Sequence, residues 1–182
     1  MALRPEEIDR STPSPLVRRF GSKIVNASID KPILDAACGS GRNAIFLATL
    51  GGSIICVDRD LTKLQGRKLS LPVSRRLILY QLDFVKDTWP FEPCTVGGIV
   101  NVHFFLAELF PFFEDSLSPG GYLLFETVPG HGGNFLELPK AGQLKTLLGK
   151  AFDIEYYKEA KVGPPDYDAV TVRLLAKRLK LV

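Results

Sequence analysis

The residues of this chain that carry chemistry gather at four places. Asp35-Ala36-Ala37-Cys38-Gly39-Ser40-Gly41 follows an apolar run, Asp58 closes a second, Asp83 follows a third, and Asn101-Val102-His103 closes a fourth. Two glycines between a strand and a helix let the backbone approach a ligand closely, and the helix N-terminus offers it free N–H groups. Gly39-Ser40-Gly41-Arg42-Asn43-Ala44 is a G-x-G-x-x-[GA] run, which on its own suits nicotinamide cofactors as well as other nucleotides. Asp35 narrows the choice. A carboxylate inside this turn repels a pyrophosphate and suits a ligand with an ammonium or sulfonium group; the plainer alternative is that it ties down loop N–H groups. Asp58 stands where a carboxylate accepts from both hydroxyls of a ribose, or is a surface residue at a strand end. Asp83 suits an adenine amino group, with Phe84 as apolar cover, or is a turn aspartate. His103 is the best-placed base for taking a proton from an acceptor, set against the hydrogen-bonded structural histidine common beside apolar runs. His131, Asp166 and Tyr167 are loop residues within plausible reach of an acceptor.

These groups need elements to hold them. Leu16, Val17, Phe20 and Ile24 predict a short helix within residues 1–30, expected to pack over the site as a lid. Ile33–Cys38 reads as a buried strand, 42–50 as a helix with Ala44, Ile45, Leu47 and Ala48 inward, and Ser53–Asp58 as a second strand. Asp60 is placed to cap a helix running through Leu61, Leu64 and Lys68. Leu77–Leu82 and Val96–His103 are strands three and four. Leu106, Leu109, Phe110, Phe113 and Leu117 form a helical stripe that Pro111 breaks, so a helix is expected to start near that proline. Pro119-Gly120-Gly121 turns into strand five, Tyr122–Val128, and Leu144, Leu147 and Leu148 mark another helix. Phe152–Lys161 and Ala169–Arg178 are two strands of a hairpin, the last alternating as a half-exposed strand does. Apolar strands alternating with helices predict a Rossmann-like doubly wound α/β sheet of about seven strands, mostly parallel and ending in an antiparallel hairpin strand, with ligands at the carboxyl ends of the strands.

Composition bounds the rest. With 182 residues, 46% hydrophobic and 24% charged, one globular domain over 1–182 is expected, 31–182 being its core. The net charge of +3 is too small to imply nucleic acid, and the basic positions Arg173, Lys177, Arg178 and Lys180 are expected on an edge or solvated face. Three cysteines without a C-x-x-C pair and two histidines leave few metal ligands, so no metal is expected, and free thiols suit a reducing cytoplasm. The apolar stretch from Val96 to Phe113 contains Asn101, His103, Glu108 and Pro111, which disfavours a membrane span.

Ile33-Leu34-Asp35-Ala36-Ala37-Cys38-Gly39-Ser40-Gly41, followed by Val57-Asp58, resembles the class I S-adenosylmethionine-dependent methyltransferases, as do Pro119-Gly120-Gly121 and the terminal hairpin. The resemblance spans residues 31–182, with Ala37 where the family's first motif has a glycine. Arg42-Asn43-Ala44-Ile45-Phe46-Leu47-Ala48 is further similar to the small tellurite-resistance and thiopurine-type branch. The resemblance implies methyl transfer to a small-molecule acceptor, with S-adenosylhomocysteine as product. It places Asp35 near the cofactor's amino group, the backbone from Ala36 through Ala37, Cys38 and Gly39 to Gly41 along its methionine part, and Asp58 on its ribose. Asp83 and Phe84 then flank the adenine, Asn101 and Val102 face the methionine and the methyl, and Asn43 and Arg59 complete the binding set. The strand-four ending Asn101-Val102-His103-Phe104 is not the [DN]-P-P-[YF] motif of enzymes that methylate exocyclic or amide nitrogens. A nicotinamide-dependent oxidoreductase and a non-catalytic module that binds S-adenosylmethionine are the alternatives.

Overall fold

A computed structural model of the protein describes residues 12–128, 137–164 and 166–180. Ser14 caps the first helix, α1 (Pro15–Ala27): its hydroxyl accepts from the N–H groups of Leu16 and Val17, and Pro15 supplies a preset first turn. There follow β1 (Ile33–Ala36), α2 (Arg42–Thr49), β2 (Ile54–Asp58), two single turns α3 (Thr62–Gln65) and α4 (Leu71–Ser74), β3 (Leu77–Gln81) and β4 (Val96–Val102). The chain continues through α5 (Leu109–Ser116), β5 (Leu117–Glu126), α6 (Gln143–Leu148), β6 (Phe152–Lys161) and β7 (Val170–Arg178).

The seven strands form one sheet in the order β3-β2-β1-β4-β5-β7-β6, parallel except for β7, which runs antiparallel to both its neighbours. The order reverses between β1 and β4, which opens a crevice at their carboxyl ends. Apolar side chains cover both faces. One face packs α1 and α2 through Val17, Ile24, Ala44 and Leu47; the other packs α5 and α6 through Phe110, Phe113, Leu144 and Leu148. The apolar stretch from Val96 to Phe113 divides into buried β4 and amphipathic α5, and no helix among the described residues is long and apolar enough to cross a membrane.

Three expectations need correction. The helix after Asp60 is one turn only, ending at Gly66, although Asp60 does accept from the Thr62 N–H at 2.9 Å; α4, with Pro72 in its first turn, is a further single turn the apolar spacing does not predict. Leu117 belongs to a strand and not to the helical stripe, because β5 starts there and Pro119-Gly120-Gly121 is an irregularity inside it. The pairing jumps from Val96–Leu117 to Gly98–Tyr122. Gly121 must lack a side chain, since a Cβ would lie 2.5 Å from the Gly97 carbonyl oxygen. Finally, β7 is not a half-exposed edge: β5 and β6 flank it, Arg178 is buried, and Arg173 pairs with buried Glu126. The helix within the expected lid segment, α1, packs on β4 and β5, and just before it Thr12 and Ser14 bond Arg42, Asn43 and Glu126; residues 1–11 of that segment lie outside the described residues.

Candidate active site

The turn after β1 alternates left-handed residues: Ala37 at φ +58°, Gly39 at +55° and Gly41 at +72°. Ala37 thus takes the backbone shape a glycine would, at a cost of about 1 kcal/mol. Gly41 has a second reason to be glycine, because a Cβ would sit 2.4 Å from Leu64 Cδ1. Around Gly39 a Cβ would meet nothing within 4 Å, so that face of the turn is open.

Asp35, 1% exposed, lies beneath this turn. It accepts from the Ala44 N–H at the start of α2, while its Oδ2 has no hydrogen-bond partner among the described residues. Burial, aided by the charge of Asp58, pushes its carboxyl up to about 7 despite the Ala44 N–H and the charge of Arg42. On the neighbouring strand Asn101 is equally buried and its Oδ1 is also unpartnered. Parity turns the two side chains to opposite faces of the sheet. Unsatisfied buried acceptors at adjacent strand tips are the arrangement a hydrogen-bonding cationic ligand would complete.

Asp58 accepts from the Gly39 N–H at 2.8 Å through Oδ2 and from the Asp60 N–H at 3.0 Å through Oδ1, which fixes the turn against the tip of β2. A carboxylate has about four lone-pair sites, so two remain for a ligand. Cys38 is buried against Cys56, whose thiol together with desolvation pushes that of Cys38 far above its ordinary value; it is no nucleophile near neutral pH. Asn43 is buried and does not line the cavity over the strand tips; its Oδ1 accepts from the Ser14 N–H at 2.9 Å. The Ser14 hydroxyl in turn donates to Glu126 at the end of β5, and Arg173 donates to the same carboxylate at 2.9 Å.

A cavity of about 550 Å³ opens over these strand tips. Ala37, Asp58, Arg59, Leu82, Asp83, Phe84 and Val85 line one end, and His103, Phe104, Phe105, Leu106, Thr127, Val128, Glu137 and Leu138 the other. Of the expected site residues, Ala37, Asp58, Arg59, Asp83, Phe84 and His103 face it. Asp35, Ala36, Cys38, Asn101 and Val102 are buried behind that lining, with Gly39 and Gly41 in the adjoining turn. Asp83 accepts from the Val85 N–H at 3.0 Å and so also serves as a turn residue. His131 lies outside the described residues; Asp166 and Tyr167 are exposed and do not line the cavity. His103 is exposed at φ +69°, its N–H donating to the Glu126 carbonyl at 2.7 Å. Phe104, Phe105, Glu137 and Leu138 were missed; the one signal for the first two is that aromatic residues follow directly where strand four ends. Among the described residues no group of three or more His, Cys, Asp or Glu side chains could hold a metal.

No protein-family model matches the chain, and no curated protein matches it significantly. Solved structures do. Geranyl diphosphate methyltransferase in complex with S-adenosylmethionine superposes with a TM-score of 0.66 at 14% identity, over 88% of this chain and 84% of the other. A glycopeptide N-methyltransferase complexed with S-adenosylmethionine gives 0.63 at 15%, over 97% and 100%. A tRNA methyltransferase from Aquifex aeolicus gives 0.57 at 15%, over 95% and 72%. The fold is that of the class I methyltransferases. The sheet order and the antiparallel β7 are its Rossmann-like arrangement.

Proposed function

We propose that the protein binds S-adenosylmethionine and transfers its methyl group to a small-molecule acceptor, releasing S-adenosylhomocysteine. Asp35 carries the reading: a wholly buried carboxyl with one unpartnered oxygen, set under an open glycine turn, fits a ligand ammonium and not a pyrophosphate. The fold neighbours, two of them holding S-adenosylmethionine, support the same cofactor. The cofactor supplies an activated methyl for in-line displacement. The chain's own residues position and enclose. Asp35, ionised, pairs with the ammonium; the turn from Ala37 to Gly41 allows close backbone approach; Asp58 accepts from the ribose; Asp83 and Phe84 flank the adenine. Phe104, Phe105, Leu106 and Leu138 exclude water from the acceptor end, and His103 takes a proton from acceptors that must lose one.

A concave cavity lined by Phe84, Phe104 and Phe105 favours a small acceptor over a polymer. The similarity of Arg42–Ala48 to the tellurite-resistance and thiopurine branch puts thiols and metalloid oxyanions first in an acceptor screen, with amines beside them. Three cysteines without a disulfide suit a reducing cytoplasm.

Calorimetric titration of S-adenosylhomocysteine and NAD tests the cofactor. The homocysteine compound alone should bind, and Asp58→Ala should weaken it by about 1.5–3 kcal/mol, roughly ten- to a hundred-fold. Binding of NAD instead would overturn the reading. For His103, the informative variant is His103→Asn, which tolerates the left-handed backbone. Turnover should fall about a hundred-fold or more with cofactor affinity unchanged; full turnover would remove His103 from the chemistry.

A further inference from the structure

The two edges of the sheet are built in opposite ways. β6 is guarded: its ten residues include Asp153, Glu155, Lys158, Glu159 and Lys161, and its pairing with β7 is irregular between Ile154 and Tyr156. Charges and irregularities of this kind stop an edge from recruiting another strand. The other edge, β3, reads Leu77-Ile78-Leu79-Tyr80-Gln81, with no charge, proline or irregularity, and Ile78, Leu79 and Tyr80 are 53%, 40% and 42% exposed. The Arg76 carbonyl and the Leu82 N–H bond to β2, so the ladder turns the backbone groups of Leu77, Leu79 and Gln81 outward.

We propose that a second copy of this chain covers β3, pairing edge to edge in antiparallel fashion about a two-fold axis at Leu79. The strand is complementary to itself in this register. Leu79 faces Leu79 and Leu77 faces Gln81, and these pairs carry the outward N–H and C=O groups, giving six hydrogen bonds over five residues. Ile78 faces Tyr80, a β-branched and aromatic pair of the kind that stabilises sheets. Charge agrees. The segment from Leu61 to Leu82 contains Lys63, Arg67, Lys68, Arg75 and Arg76 and no acidic residue, while Asp83 and Asp87 follow the strand with Lys86 between them, 3.7 Å from Asp83, which leaves that end net acidic by one charge. Antiparallel pairing brings the basic end of one copy to the acidic end of the other, whereas parallel pairing would set like charges together. The pairing extends one seven-stranded sheet into fourteen strands and holds whatever ligand the crevice takes.

Sedimentation velocity of the full chain over a concentration series to about 100 µM should show a monomer–dimer equilibrium. Leu79→Lys, which sets two ammonium groups face to face on the axis, should raise the dimer dissociation constant at least about ten-fold. A cross-link distinguishes this edge from any other dimer. With Cys94→Ser as background, Leu79→Cys should give a disulfide-linked dimer in glutathione disulfide, since directly opposed Cα atoms about 5.5 Å apart fall within disulfide range. Ile78→Cys, opposite Tyr80, should not. A monomer throughout the series overturns the proposal, as does a dimer that neither Leu79→Lys weakens nor Leu79→Cys links.

Discussion

Asp35 sets binding against stability within one residue. Its carboxyl titrates near 7 in the folded protein against 3.8 unfolded, so the folded state holds the extra proton. Stability therefore declines as pH rises from about 4 to 7, the carboxylate being costly to ionise where it is buried. Asp35→Asn should raise the melting temperature at pH 8 and change it little at pH 4, while S-adenosylhomocysteine binds more weakly but measurably; thermal scans at both pH values check the first point. A ligand cation favours the ionised carboxylate, so wild-type affinity should fall as pH drops below 7, approaching ten-fold per unit, and Asp35→Asn should flatten that profile. The turn glycines separate strain from clash. Gly39→Ala meets only the left-handed penalty, about 1 kcal/mol, whereas Gly41→Ala also strikes Leu64 and should cost about 2–4 kcal/mol in denaturant unfolding.

Among the elements, α1 shows how a helix outside the alternating pattern is recruited. It rests on β4, where Gly97 and Gly98 let it approach: a Cβ on Gly97 would lie 2.8 Å from Ser28, and one on Gly98 2.7 Å from Ile24. Gly97→Ala should therefore lower stability by about 1–3 kcal/mol, read as a melting-temperature loss of several degrees. The start of α1 is tied to the site through Asn43, Ser14, Glu126 and Arg173. Ser14→Ala removes the helix cap and one donor to a buried carboxylate, so a loss of at least about 1 kcal/mol is expected. Deleting residues 1–24 would strip Leu16, Val17 and Ile24 from the core as well. The cap variant is thus the cleaner probe of whether residues 12–14 act as a roof: unchanged ligand affinity in Ser14→Ala would argue against it.

For the whole molecule, the connection from β3 to β4 carries no helix, and aromatic packing takes its place. Trp89 stacks on Phe84 at 5.7 Å and on Phe112 at 5.6 Å, with Phe91 and Phe113 at its edges. Phe84 is also cavity wall, and Trp89 is the sole tryptophan of the chain. Ligand entry beside Phe84 should therefore change the fluorescence of a single residue, and stopped-flow titration should track binding without a label. A silent signal on saturation by calorimetry would place the adenine away from Phe84.

Much of this was legible in the chain. Strands one to four, the helix at Arg42 and the glycine turn follow from local rules, because buried parallel strands are short apolar runs and a turn with left-handed residues demands small side chains. Asp35, Asp58 and Asp83 stand out because each carboxylate directly ends or follows such a run. What depended on partners distant in sequence was not legible. β7 reads as an edge because alternation reports a side chain's own polarity, yet Glu126 neutralises Arg173 and two strands enclose the whole element. Pro119-Gly120-Gly121 reads as a turn, and only its pairing with β4 reveals an irregularity within a strand. The acceptor end of the cavity escapes for the same reason: Phe104 and Glu137 lie 33 residues apart, and only the docking of β4 beside β5 brings their segments together. The sequence alone determined which carboxylates stand at the strand ends, because each directly ends or follows an apolar run; the tertiary structure decided which of them are buried and what lines the cavity beside them, because burial is a property of neighbours and not of the residue itself.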